Sequence, residues 1–145
     1  MKKLFFTLFA VLLLAACSSD DDASSNETGL QTQLLGVWQY TSVSFNGELV
    51  DLEEGHCILD NKITYLENDE LIYDAASAGF GNGCEYATFE SFWLVQSENS
   101  YLSTEPGDDV GIEYTVDFLS ENEIILSYED SFDDLFEIGL IKTQD

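Results

Sequence analysis

From Leu30 onward the chain alternates between apolar and polar positions. In IEYTVDFL, Ile112, Tyr114, Val116 and Phe118 fall on one side, and Glu113, Thr115 and Asp117 on the other. A period of two, carried by β-branched and aromatic residues, is the pattern of a half-buried strand. The segments VWQYTSVSF, CILDNKITYL, ELIYD, CEYATFESFWLVQ, YLST, EIILSYE and LFEIGLIKT have the same character, so about eight strands are predicted. Turn chemistry separates them. Asn46-Gly47 closes the first segment, and Asn-Gly is the strongest short hairpin signal because both turn residues adopt positive φ. Glu105-Pro106-Gly107-Asp108 breaks the chain after YLST. Only ETGLQTQLLG can form a helical turn or two, with Thr28 as its N-cap. Short connections favour sequential antiparallel pairing. Eight such strands can close on themselves and leave no exposed edge. The predicted fold is therefore all-β, an antiparallel up-and-down barrel or a flattened barrel.

The amino terminus follows a different pattern. Lys2 and Lys3 precede Leu4–Ala16, a run in which only Thr7 is polar. That run is too short to span a membrane, which takes about 20 apolar residues, and it fits the apolar region of a secretory signal. Leu14-Ala15-Ala16-Cys17 resembles the bacterial lipobox. The resemblance implies cleavage before Cys17, a thioether-linked diacylglycerol on its sulfur and acylation, as by palmitate, of the new amino terminus. Two or more acyl chains anchor a protein stably. Ser18–Thr28 is a low-complexity polar tether with too little apolar surface to offset the entropy of ordering it. Within it, Ser19-Asp20-Asp21-Asp22 resembles the surface-export signal of Bacteroidota lipoproteins, which directs them to the outer face of the outer membrane. The chain thus divides into a signal peptide (1–16), a lipidated cysteine with an acidic tether (17–29) and a barrel domain (30–145).

Charge narrows the choice of partners. The whole chain carries a formal charge of −25 and no arginine. Cleavage removes Lys2 and Lys3 and no acid, so Lys62 and Lys142 face 29 acids and the charge falls to −27. Such a domain repels phosphate backbones, which argues against nucleic acid as a partner. It also repels anionic lipid head groups, so the lipid itself must hold the protein to the membrane. Solubility accounts for most of this acidity; a cation or a basic protein partner is the functional alternative.

Little in the sequence points to catalysis. With Cys17 assigned to lipid, Cys57 and Cys84 form an even pair in an exported protein, a context that permits a disulfide. Closing a loop of about 27 residues stabilises by roughly 3–4 kcal/mol in the chain-entropy model. Two free thiols are the alternative. A metal site would want more ligands than the adjacent His56 offers, and a redox site would more often show Cys-x-x-Cys. His56 is the only histidine, so any nucleophile–histidine arrangement must pass through it. It reads as a surface residue among acids. AGFGNG leads into a strand and not a helix, which is not a phosphate-binding arrangement. Asp108-Asp109 and the acids of 129–134 offer oxygen ligands to Ca²⁺, but without EF-hand spacing. No catalytic residue, no metal site and no cofactor beyond the covalent lipid are predicted.

Gly36-Val37-Trp38 resembles the Gly-x-Trp motif that opens the first strand of lipocalins. There a short 3₁₀ turn precedes the strand, where LQTQLLG stands here, and the tryptophan packs across the closed end of the barrel. The closer resemblance is to lipocalin-like domains of Bacteroidota lipoproteins. Those carry an early Gly-x-Trp, a cysteine opening the next strand, and a second cysteine before a strand bearing tryptophan. Trp38, Cys57, Cys84 and Trp93 match that layout, over roughly Leu30 to Lys142. The arginine that in lipocalins packs on the tryptophan is missing, and Lys142 is the candidate to replace it. The resemblance implies a small apolar ligand in the barrel mouth. Phe89, Phe92, Trp93, Tyr114 and Phe118 are the residues expected to line that cavity or to plug it. The expected protein is a non-catalytic binding module, anchored by lipid at the outer membrane and exposed at the cell surface. The alternative is a filled barrel that meets a protein partner through its acidic face.

Overall fold

The computed structural model describes residues 29–53, 55–79, 83–108 and 110–144. The predicted lipobox (Leu14, Ala15, Ala16), Cys17 and the Ser19, Asp20, Asp21, Asp22 run lie outside the described residues. The chain enters through a short helix, α1 (Gly29–Leu34), an α-helix where a 3₁₀ turn was expected. Nine strands follow: β1 (Gly36–Phe45), β2 (Glu48–Leu49), β3 (Lys62–Tyr65), β4 (Glu70–Ala78), β5 (Cys84–Ser97), β6 (Ser100–Thr104), β7 (Ile112–Ser120), β8 (Glu123–Glu129) and β9 (Leu135–Lys142). From β3 to β9 each strand pairs antiparallel with the next, β1 pairs with β3, and β1 also pairs with β9. The result is a closed eight-stranded up-and-down barrel. β2 is an extra two-residue strand on the end of β1, across the Asn46-Gly47 turn. Both turn residues have positive φ (51° and 80°), as the hairpin signal requires.

One expected strand divides. CILDNKITYL forms a 3₁₀ turn (Cys57–Asp60) and then β3, so Cys57 does not open a strand. Polar residues explain the break. The Ile58 N–H donates to His56 Nδ1 (3.3 Å), and the Asn61 N–H donates to the Ile58 carbonyl (3.2 Å). Asn61 is buried, and its side chain does the work of a ladder. Its Oδ1 accepts from the Ala76 N–H (2.6 Å), and its Nδ2 donates to the Tyr73 hydroxyl (2.8 Å). A buried amide satisfied in this way pins the turn to β4. A disulfide between Cys57 and Cys84 ties the same turn to the start of β5, with the Cα atoms 5.5 Å apart.

The core fills the end of the barrel nearest α1. Leu30 and Leu34 of the helix pack onto Trp38, Tyr65, Trp93, Tyr101, Val116, Ile124, Leu126 and Leu140. Burying a leucine of this kind stabilises by about 1.5–3 kcal/mol. Every member of this core comes from the helix or the strands. A chain beginning at Ser18, without the signal peptide and the lipidated cysteine (the soluble chain), therefore keeps every residue of this core.

Candidate functional site

Trp38 spans the closed end. Its indole N–H donates to the Leu34 carbonyl at the end of α1 (2.6 Å). The Lys142 ammonium lies 5.2 Å from the Trp38 ring centroid and donates to the Gln33 carbonyl (3.1 Å). One cation thus stacks on the tryptophan and closes the helix C-terminus, where cations are favoured. Gly36 sits at φ +114°, and a Cβ there would come 3.1 Å from Lys142 Cε. The motif glycine supplies both the left-handed backbone and the room for the lysine.

Above this floor, Trp93, Tyr65 and Tyr101 pack edge to face, with centroids 5.1 to 5.9 Å apart. The Tyr65 and Tyr101 hydroxyls share a buried hydrogen bond of 2.6 Å. The Trp93 indole N–H is the one buried side-chain polar atom, among the described residues, without a partner.

Beyond that layer the side chains no longer meet, leaving a cavity of about 570 Å³. Tyr40, Tyr73 and Phe89 form one wall, with successive centroids 6.2 and 6.3 Å apart. Tyr114 and Tyr128 form another, 5.1 Å apart. Ile63, Leu71, Ile112 and Ile138 complete the apolar lining. Burial raises the Tyr40 hydroxyl well above the usual tyrosine range, with the nearby Tyr73 adding to it. Burial also pushes Tyr114 up to about 12. Both phenols therefore stay neutral at physiological pH, as hydrogen-bonding groups on an otherwise apolar wall.

The cavity reaches the surface where two strands part. The β5–β6 ladder runs only from Phe92–Thr104 to Ser97–Ser100, so the first half of β5 pairs with β4 alone. The segment joining β6 to β7 folds over this gap and contributes Glu105, Asp108, Val110 and Gly111 to the lining; Glu90 and Ser91 line it from β5. A Cβ on Gly111 would fall 2.5 Å from the Ser103 carbonyl oxygen. Only glycine lets the segment lie this close to β6.

Of the residues expected to line the cavity, Phe89 and Tyr114 do so. Trp93 lies in the packed layer beneath. Phe92 points outward beside Glu70 and is 48% exposed. Phe118 keeps the inward parity but lies beyond Val116, at the far end from the cavity, and is 37% exposed. Tyr40, Tyr73 and Tyr128 were missed, although each occupies an alternating position in a predicted strand. The opening was not legible at all, because nothing local marks where β5 and β6 separate. His56 is exposed and caps the 3₁₀ turn. The acids of 129–134 build a turn: Asp130 Oδ1 accepts from the Phe132 N–H (2.8 Å) and the Asp134 N–H (3.1 Å). Among the described residues, no group of three or more histidine, cysteine or acidic side chains is placed to hold a metal.

Residues 1–18 match the family described as a prokaryotic membrane lipoprotein lipid attachment site, a span that contains the lipobox and Cys17. The match supports a membrane-anchored lipoprotein whose folded part is a β-barrel. Solved structures similar to the chain include a redesigned β-barrel, at 10% identity and TM-score 0.47, covering 79% of this chain and 95% of that one. A mutant of the fluorescent protein UnaG is also similar, at 10% identity and TM-score 0.40, covering 79% of this chain and 99% of the other. No curated protein matches the chain.

Proposed function

We propose that this lipoprotein is a non-catalytic binding module that holds a small, largely apolar ligand in the barrel cavity. The observation that carries this reading is the cavity itself, about 570 Å³ with aromatic and aliphatic walls and a few neutral hydroxyls. Ligand pockets typically measure 300–1,000 Å³ and are lined in this way. The closed-end arrangement of Gly36, Trp38 and Lys142 supports a lipocalin-like barrel. The filled-barrel alternative describes the Trp38–Tyr101 half of the molecule, and the cavity leaves the other half to a ligand. The lipid on Cys17 is the only non-protein group this function needs.

The test is a titration of the soluble chain with N-phenyl-1-naphthylamine, a neutral apolar fluorophore. Saturable fluorescence enhancement is expected. Ile138→Trp, which puts bulk into the cavity, should weaken it at least tenfold while far-UV circular dichroism stays β-rich. Enhancement that never saturates, or that survives the substitution unchanged, would remove the reading.

Outer-membrane location and display at the cell surface belong to the same proposal, supported by Ser19, Asp20, Asp21 and Asp22. Replacing the three aspartates with alanine should protect the protein from protease added to whole cells. Unchanged cleavage would reduce the run to a spacer.

A further inference from the structure

The charge around the cavity has only one sign. Its ionisable acids are Glu90, Glu105 and Asp108, all at the opening between β5 and β6. Lysine is the only strongly basic side chain among the described residues, and neither lysine is near. Lys142 stacks on Trp38 at the closed end. Lys62 is exposed on the outward face of β3, next to Ile63, which points in. His56 is exposed on the 3₁₀ turn and does not line the cavity. The walls add to the same potential. Tyr40, Tyr73, Phe89, Tyr114 and Tyr128 line the cavity with aromatic rings, a class of side chain whose π-system attracts cations. Carboxylates grouped at the opening of a low-dielectric cleft focus a negative potential into it.

We propose that the cavity selects organic cations, a protonated or quaternary amine on an apolar body. The proposal deepens the binding reading above and rests on it. The apolar body fills the space between Tyr40, Tyr73 and Ile138, and the ammonium sits at the opening against Glu105 and Asp108, with Glu90 on the opposite lip. Gly111 makes this possible by letting the β6–β7 segment bring two of the three carboxylates over the gap. An anionic ligand of the same shape meets the same acids with no counter-charge, and is rejected.

Three displacers of closely similar shape separate the possibilities: 4-phenylbutylammonium, 4-phenylbutanol and 4-phenylbutanoate, each competing with bound N-phenyl-1-naphthylamine on the soluble chain at 0.15 M salt. The cation is expected to displace the probe at a concentration at least tenfold below that of the carboxylate, with the alcohol between them. With Glu90→Gln, Glu105→Gln and Asp108→Asn combined, cation and alcohol should fall within threefold of each other. Removing the same charge at the closed end, with Glu98→Gln, Glu121→Gln and Glu123→Gln, should preserve the preference. The proposal is overturned if the carboxylate displaces as well as the cation, or if the closed-end variant loses the preference equally, which would assign it to net charge alone. Failure of the neutral probe to bind removes the cavity reading and this one with it. Probe binding with the displacers in any other order removes only the cation preference.

Discussion

At the scale of single residues, the informative side chains are those with two roles. Lys142 is the clearest. It is the residue expected to replace the missing arginine on the tryptophan. Here it both covers Trp38 and closes α1. Lys142→Met keeps most of the stem and removes both interactions. It is expected to lower stability by about 1 kcal/mol, read as a lower urea midpoint at an unchanged slope. Asn61 is similar: its position in an alternating segment predicts a strand, but its buried amide replaces ladder bonds and delays the start of that strand to Lys62. Side-chain hydrogen bonding of this kind is not visible in periodicity, because the partners lie in another strand.

At the scale of elements, strand number and order followed from pattern and turns, and strand ends did not. Asn46-Gly47, Glu98-Asn99 and Glu121-Asn122 are tight turns between paired strands, so the chain between them had to return on itself. The unequal lengths of β5 and β6 carry more functional weight. β5 has 14 residues and β6 has 5, and the excess of β5 leaves the side opening. The disulfide braces this region by holding the 3₁₀ turn to the start of β5. Replacing both Cys57 and Cys84 with serine should cost about 3–4 kcal/mol by the loop-entropy argument. Thiol titration of the soluble chain in denaturant should find no free thiol without reductant and two with it.

At the scale of the whole molecule, the interior tyrosines make stability depend on alkaline pH. Burial holds Tyr40, Tyr65, Tyr101 and Tyr114 above the ordinary tyrosine value of 10.0. Above pH 10 the unfolded chain sheds protons that the fold retains, so unfolding becomes easier as pH rises. The stability these groups protect is complete below pH 10 and falls above it, by about 1.4 kcal/mol per pH unit for each such tyrosine. For Tyr114 the loss ends near pH 12, where the folded form ionises too. The tyrosinate absorbance of these four, near 295 nm, should therefore rise together with the loss of β-sheet circular dichroism, read in a Tyr86→Phe background that removes the most exposed phenol. Four tyrosinates forming before the circular dichroism changes would show that these hydroxyls are accessible.

The sequence by itself determined the class of fold and the lipid attachment site, and it favoured a Cys57–Cys84 disulfide over two free thiols. Each of these is written locally: a two-residue period, an apolar run ending in Leu-Ala-Ala-Cys, and an even pair of cysteines left once Cys17 is removed. Alternation also says which side chains face inward, as it did for Tyr114. It says nothing of depth along the barrel axis. That coordinate separates Tyr114 on the cavity wall from Phe118 at the far end, although alternation gave both the same inward sense, and it puts Trp93 in the packed layer beneath the cavity. Only the tertiary structure decided it, because depth depends on strand register and on where neighbouring strands stop pairing, and both are set by contacts between residues far apart in the chain.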